Sequence, residues 1–385
     1  MTELHIEKLV YGGDGLAREN GHVVLTPFVL PGETVQAEVT RAKNDLARGK
    51  LLNVVSPAPQ RIEPRCPYFT RCGGCHYQHA NYEYQLEQKK AILLEVLRRT
   101  GGIEYTEEIA VIAAEPWQYR NRVQLHIAAG KIGYFEGGSH ALVGINHCPI
   151  ASPKLSECIA TLAREVARIR PFEATLELFT NENAVQFNLR DRVPPQFIAL
   201  LRTLGVTTPI QYGGLRVSRD TFFQVNRFLT DKLVDAALGG SSGQWAMDLY
   251  AGAGLFTLPL ARRFERVTAV DDSASASRDL EHNASAAGIM NLQTHQATVD
   301  AHLLAVTETP DLIVADPPRT GIGKLGVKEL ARIRAQGLTI VSCDPATLAR
   351  DLKGLILAGY KMGEVMLIDL FPQTAHFETV AKLRL

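Results

Sequence analysis

From Pro209 onward the chain alternates short apolar β-type runs with helical stretches: WAMDLY, a helix from about 254, RVTAVD, a helix near 274 to 287, NLQTHQA, DLIVADPP, a helix near 325 to 336, LTIVSCD and a helix near 345 to 358. Neighbouring parallel strands need a crossover connection, and a helix is the usual one. The pattern therefore predicts an α/β fold, a doubly wound parallel sheet of Rossmann-like type over 209–385. Such sheets bind ligands in the crevice beyond the carboxyl ends of their strands. The residues that close each apolar run are thus the ones that can carry chemistry.

The upstream sequence has a different texture. Residues 1–55 contain β-rich runs (IEKLVYGGDGLAREN, GHVVLTPFVLPGETVQAEV, KLLNVVSP) cut by Gly, Pro and Asn turns, which suits a five-stranded barrel of oligonucleotide-binding type. Residues 56–208 read as a central α+β segment. Its first helix, 80–99, presents Tyr82, Leu86, Leu93 and Leu97 on one side and is expected to pack on the 209–385 unit. With 46% hydrophobic residues in 385, there is apolar material for two or three cores. No uncharged apolar run approaches the roughly 20 residues of a membrane helix. The opening MTELHIEKLV also lacks a basic-then-apolar signal pattern, so a cytoplasmic protein without a membrane partner is expected. Nothing in the sequence implies a protein partner.

The 41 basic and 41 acidic side chains cancel globally, but not locally. Between 41 and 71 stand Arg41, Lys43, Arg48, Lys50, Arg61, Arg65 and Arg71 against Asp45 and Glu63. A confined basic stretch of this kind is either a solvated loop or a face turned toward a polyanion.

Six cysteines in a reducing compartment do not read as structural disulfides. Cys66, Cys72 and Cys75, spaced Cys-x5-Cys-x2-Cys, read first as a metal site. Cys158, inside the helical run SECIATL, reads as a buried apolar residue.

Four strand ends carry polar or reactive groups. In DLYAGAGLFT, Gly252 and Gly254 let the backbone approach a ligand, and Asp271, one strand later, is placed to accept hydrogen bonds from a ribose. Two glycines do not make the three-glycine pyrophosphate fingerprint, which points toward S-adenosylmethionine instead of a dinucleotide. Asp316, in Asp-Pro-Pro-Arg, is aimed into the crevice by two prolines that stiffen the loop. Cys343, in IVSCDPAT, is either an inert core residue or an exposed thiolate favoured by the start of the next helix. His376 and Glu378, in FPQTAHFE, fall in a short loop before the closing strand, where a surface carboxylate is the plainer reading of Glu378.

Taken together, SCDPATLARDL, DPPRTG, DLYAGAGLFTLPLA, RDTFFQVN and FPQTAHFE resemble the RNA uracil-5 methyltransferase family, in order and along essentially the whole chain. The amino-terminal barrel resembles the TRAM domain of many members. Cys66, Cys72, Cys75 and Cys148 resemble the 4Fe-4S ligands of the family's 23S ribosomal RNA branch; their spacing alone would also allow zinc, but the resemblance favours iron and sulfur.

The resemblance implies methyl transfer from S-adenosylmethionine to carbon 5 of a uridine, with Cys343 as nucleophile at carbon 6 and Glu378 as general base. It places Gln224, Tyr250, Asp271 and Asp316 at cofactor positions, beside Gly252 and Gly254. Asp271 departs from the glutamate more usual there, and Leu255 stands where some relatives have a polar residue. Phe222 becomes a candidate for stacking on a base, and Arg41, Lys43, Arg48 and Lys50 for phosphate contacts. His376 is assigned no proton transfer. The expected partner is RNA, with 23S ribosomal RNA favoured over the T-loop of transfer RNA.

Overall fold

The computed structural model describes residues 1–19, 21–41, 46–205 and 208–385. The first six strands are β1 (Thr2–His5), β2 (Lys8–Leu9), β3 (Gly15–Glu19), β4 (His22–Thr26), β5 (Thr34–Arg41) and β6 (Leu46–Ser56). They form one sheet in the order β1-β5-β6-β4-β3-β2 around a small core of Leu4, Ile6, Val24, Val29 and Val35. The sheet has six strands where the sequence suggested five: β1 precedes the first of those runs, which itself supplies β2 and β3. Leu9 of β2 turns away from this core and is buried in the large core of the carboxyl-terminal sheet.

Helix α1 (Tyr82–Val96) starts at Asn81, whose side chain accepts a hydrogen bond from the Tyr84 N–H, and ends in a π-turn over Leu97–Gly101. It buries Ile92 and Leu93 against the carboxyl-terminal sheet, but the turn before them buries Gln85 and Lys89 in place of the expected Leu86. Both polar groups find partners there. Lys89 donates to Asp369 at 2.6 Å, and Gln85 bonds Gln373. Strand β7 (Ala110–Ile112) then joins the edge of the same sheet.

A second sheet holds β8 (Arg122–Ala128), β9 (Lys131–Phe135), β10 (Leu142–Gly144), β11 (Ala174–Thr180) and β12 (Val185–Leu189) in the order β10-β9-β8-β11-β12. Helices α2 (Pro153–Val166) and α3 (Pro195–Thr203) cover it, and Cys158 is buried in their core. A short hairpin, β13 (Ile210–Tyr212) and β14 (Leu215–Val217), leads into the last unit.

There the elements are α4 (Thr230–Leu238), β15 (Gly243–Leu249), α5 (Thr257–Ala261), β16 (Phe264–Asp271), α6 (Ala274–Ala286), β17 (Leu292–Gln296), α7 (Val299–Ala305), β18 (Leu312–Ala315), α8 (Gly323–Ile333), β19 (Gly337–Ser342), α9 (Pro345–Leu357), β20 (Lys361–Ile368) and β21 (Glu378–Arg384). The sheet order is β17-β16-β15-β18-β19-β21-β20-β7. Strands β15 to β19 are mutually parallel, as the alternation requires. β21 instead runs antiparallel between β19 and β20. It returns from β20 through a connection of residues 369–377 that contains no helix, so only an antiparallel return is open to it.

Candidate active site

The glycine loop follows β15. Tyr250 takes φ +65°, rare for a side chain with a Cβ, and Gly254 takes φ +97° with the Leu280 and Leu258 side chains 2.6 and 2.7 Å from where a Cβ would stand. Gly252, at φ +56°, faces open space. Asp271 braces this loop: one carboxylate oxygen accepts the Gly252 N–H at 2.8 Å and the other the Ser273 N–H at 2.9 Å. The residue read from sequence as a ribose acceptor is thus also the strut that sets the height of the glycine loop.

Beneath the loop lies Asp248, fully buried, with Thr257 donating to one oxygen and no partner on the other among the described residues. Burial, with smaller contributions from Asp316 and Asp271, pushes its carboxyl up to about 7. Burial does the same to Asp316, also to about 7. Gln224 donates to Asp316 at 3.3 Å. The segment that delivers Gln224 is anchored on buried Asp279, which accepts from the Ser218 N–H and the Thr221 hydroxyl, each at 2.7 Å. Between the anchor and Gln224, Phe222 stands 65% exposed. The carboxyl end of the sheet thus gathers Asp248, buried, with Asp271 and Asp316, partly exposed, a setting that favours a cationic ligand.

Two strands away, Asp344 caps α9 by accepting from the N–H groups of Ala346 (3.0 Å) and Thr347 (2.9 Å). Cys343 is held between that cap and the end of β19. The register pairs Ser342 with Thr379, so continuing it by one residue sets Cys343 opposite Glu378. Glu378 is the first residue of β21 and is 3% exposed. This corrects the surface-loop reading: the antiparallel strand begins earlier than its sequence suggests and draws the carboxylate inside. One Glu378 oxygen has no hydrogen-bond partner among the described residues. Burial first, then Asp316, raises this carboxyl well above its usual range, while Arg319 opposes them.

The exposed-thiolate reading of Cys343 is also corrected. The thiol is half-buried and is pushed up to about 12, by burial first and then by Glu378, with Arg319 opposing. The start of α9 favours a thiolate, but lost hydration and two carboxylates outweigh it, so the resting group is a thiol. Arg319 is exposed and is the cation acting on both reactive groups. Its sequence signal was a basic residue directly after Asp-Pro-Pro. Asp248 had no comparable signal, because an acid at the end of an apolar strand looks like any other before its burial is known.

The connection before Glu378 is held from outside the sheet. Lys89 and Asp369 form an ion pair with both side chains fully buried, Tyr82 donates to the second Asp369 oxygen at 2.9 Å, and Tyr119 donates to the Pro372 carbonyl at 3.0 Å. The N–H groups of His76 and Tyr77 both donate to the Gln373 carbonyl. Burial, then Arg319, lowers His376 to about 4, so it is neutral near pH 7.

Cys66, Cys72, Cys75 and Cys148 influence one another electrostatically, so the fold brings all four to one place. Backbone N–H groups already donate to three of the sulfurs: those of Tyr68 and Phe69 to Cys66, of Gly74 to Cys72, and of Ile150 and Ala151 to Cys148. Burial raises all four thiols, Cys72 to about 11. Among the described residues no three or more His, Cys, Asp or Glu side chains stand as a formed metal cage. The donor set, four neighbouring sulfurs of which three take backbone N–H groups, is chemically that of a thiolate-bound metal or cluster.

The basic stretch is less free than its sequence suggests. Arg61 is bound to buried Glu33 (2.5 Å), Arg48 pairs with Asp14, and Arg65 lies over the Trp117 ring. Lys50 and Arg71 are exposed. Lys43, Asp45 and the Arg41 side chain lie outside the described residues. Among those residues, no helix is long and apolar enough to cross a membrane.

Residues 210–384 match the family described as tRNA (Uracil-5-)-methyltransferase, and residues 2–52 match the TRAM domain. The chain is 33% identical to a 23S rRNA (uracil(1939)-C(5))-methyltransferase RlmD of Pectobacterium atrosepticum, over 96% of this chain and 90% of that protein. It is likewise 33% identical to an uncharacterized RNA methyltransferase of Aquifex aeolicus, over 99% and 98%. Among solved structures, the Pyrococcus abyssi tRNA (uracil-54, C5)-methyltransferase in complex with S-adenosyl-L-homocysteine superposes with a TM-score of 0.75 at 25% identity, covering 99% of this chain and all of that one. Fold, paired domains and near full-length similarity agree: the chain belongs to the RNA uracil-5 methyltransferases, enzymes that depend on S-adenosylmethionine and carry a TRAM domain here.

Proposed function

We propose that this enzyme methylates carbon 5 of one uridine in 23S ribosomal RNA, in the cytoplasm, through a covalent adduct on Cys343. The supporting observation is the pairing of Cys343 and Glu378 across adjacent strands, on the edge that also holds Asp316 and Gln224. Carbon 5 of uracil is a weak nucleophile. The Cys343 thiol releases its proton to water as its sulfur adds to carbon 6, which makes carbon 5 electron-rich, and carbon 5 then takes the methyl group that S-adenosylmethionine supplies, leaving S-adenosylhomocysteine. Glu378, in its ionised form, removes the proton from carbon 5 and later gives it up to water, and the carbon 6–sulfur bond breaks to return Cys343. A buried carboxylate with a raised proton affinity suits a base for so weak a carbon acid. Arg319 lowers the cost of the Cys343 thiolate while it forms.

Gln224, Tyr250, Gly252, Gly254, Asp271 and Asp316 are the residues we assign to the cofactor, the acids complementing its sulfonium charge. The target uridine must leave its stack to reach Cys343, and exposed Phe222 offers a surface for a base. Cys66, Cys72, Cys75 and Cys148 would hold a 4Fe-4S cluster, tying residues 66–75 to residue 148; no step of the reaction passes through it. A second reading, a uridine in transfer RNA, is favoured by the substrate in the name of the Pyrococcus neighbour.

Purified enzyme given S-adenosylmethionine and either 23S ribosomal RNA or transfer RNA lacking the modification decides between them by nucleoside mass spectrometry. One new 5-methyluridine in the ribosomal RNA alone is expected. Methylation confined to transfer RNA overturns the substrate, and full activity in Cys343→Ala overturns the mechanism.

A further inference from the structure

The nucleophile loop is touched from the opposite end of the chain. Tyr11, in the turn between β2 and β3, donates its hydroxyl to Asp344 Oδ2 at 2.8 Å, across a separation of 333 residues. The other oxygen of the same carboxylate caps α9, so Asp344 is held at both oxygens, one by the helix and one by the barrel. The Ser342 hydroxyl donates to the Asp344 carbonyl at 3.1 Å, which bends the backbone tightly around Cys343.

The turn that carries Tyr11 is itself fixed. Leu9, two residues before, is buried in the core of the catalytic sheet. A Cβ on Gly13 would stand 3.1 Å from the Cβ atoms of both Ala375 and His76, so the turn lies flat against the connection that leads to Glu378. Asp14 pairs with Arg48 on β6, and Lys8 with Glu95 on α1. The barrel thus meets the active site through a braced contact, and its point of contact is the residue next to Cys343.

We propose that Tyr11 is a positioning residue, a hydroxyl lent by the TRAM barrel that locks the Asp344 carboxylate and through it the orientation of Cys343. The proposal rests on Cys343 as nucleophile, but its test is separable from that reading. Tyr11→Phe keeps the ring that packs and removes only the donor. Loss of a hydrogen bond to a charged group, roughly 1.5 kcal/mol, corresponds to about a tenfold fall in kcat. KM for S-adenosylmethionine should stay at its wild-type value, because Tyr11 touches neither the glycine loop nor the acids beneath it, and the melting temperature should fall by only a few degrees.

Acting through Asp344 has a sharper signature. In Asp344→Asn, adding Tyr11→Phe should cost less than twofold more, whereas independent effects would multiply. Iodoacetamide labelling of Cys343, followed by peptide mass spectrometry without RNA, reads the thiol directly and should slow several-fold in Tyr11→Phe. Unchanged kcat together with unchanged labelling would overturn the proposal, as would a double variant whose losses multiply. Failure of RNA methylation in the parent enzyme with a normal labelling difference would instead sink the functional reading and leave the positioning role standing.

Discussion

Cys343 and the quartet Cys66, Cys72, Cys75 and Cys148 carry the same functional group in opposed settings. All five thiols are raised by burial. At Cys66, Cys72 and Cys75 the further opposition comes from other sulfurs; backbone N–H groups offset it at Cys66 and Cys72, and the Gln78 side chain at Cys75. At Cys343 the further opposition comes from Glu378 and Asp316, and the main offset is the Arg319 side chain. Sulfurs that repel one another are relieved together by one shared cation or cluster. On the proposed mechanism the Cys343 thiol is relieved only transiently, when its proton leaves and a carbon takes its electrons. The same pKa direction thus arises in two unlike settings, a group of sulfurs in one place and a thiol beside two carboxylates and an arginine in the other.

The contrast is broken most severely by exchanging which cysteine is lost. Cys343→Ala should lower methyl transfer by about 10⁴-fold or more while leaving iron content, S-adenosylmethionine affinity and melting temperature unchanged. Cys148→Ala should do the reverse first: iron is lost and stability falls by more than about 3 kcal/mol, as in other losses of a buried metal. Metal analysis with thermal melts on both variants checks the pair, and a Cys343 variant that loses iron would erase the distinction.

A smaller effect isolates the arginine. In Arg319→Met the labelling of Cys343 should need higher pH than in the parent, because the cation that opposes Glu378 is gone, and at pH 8 it should slow by about tenfold. Labelling of Cys72 should not change. Equal rates in parent and variant would remove Arg319 from the site.

The smallest effect is on the cofactor. Asp316 has its carboxyl raised to about 7, so it is largely protonated at pH 6 and ionised at pH 8. S-adenosylmethionine is cationic at sulfur, and its affinity should therefore rise a few-fold between those values, with Asp316→Asn flattening the curve. For the apo protein the sign is opposite. An acid whose folded pKa exceeds its unfolded one stabilises at low pH, and that contribution is lost as pH rises through about 7. Calorimetry across pH 5 to 8 tests both slopes.

The parallel sheet was legible because β18, Leu312–Ala315, is buried at every position and so reads as an unbroken apolar run. The glycine loop, Asp316 and Cys343 were legible because they end such runs. What escaped is non-local. Gln85 and Lys89 look like a solvated helix face until Gln373 and Asp369 arrive from the other end of the chain. Tyr11 looks like any turn tyrosine until Asp344 meets it. Glu378 looks exposed because a strand start after TAH carries no local mark of burial.

The pairing of Ser342 with Thr379 also bears on how such a chain can change length. Side chains alternate between the faces of a strand, so deleting one residue inside 379–384 while keeping the hydrogen bonds would reverse every side chain beyond it and strip the sheet of Val380 and Leu383 packing. Removing or adding a residue in an exposed turn such as Gly137–Ser139 moves nothing in that ladder. Length variation among the relatives should therefore collect in such turns and stop short of the strands that bracket Cys343, a border drawn by hydrogen-bond register alone.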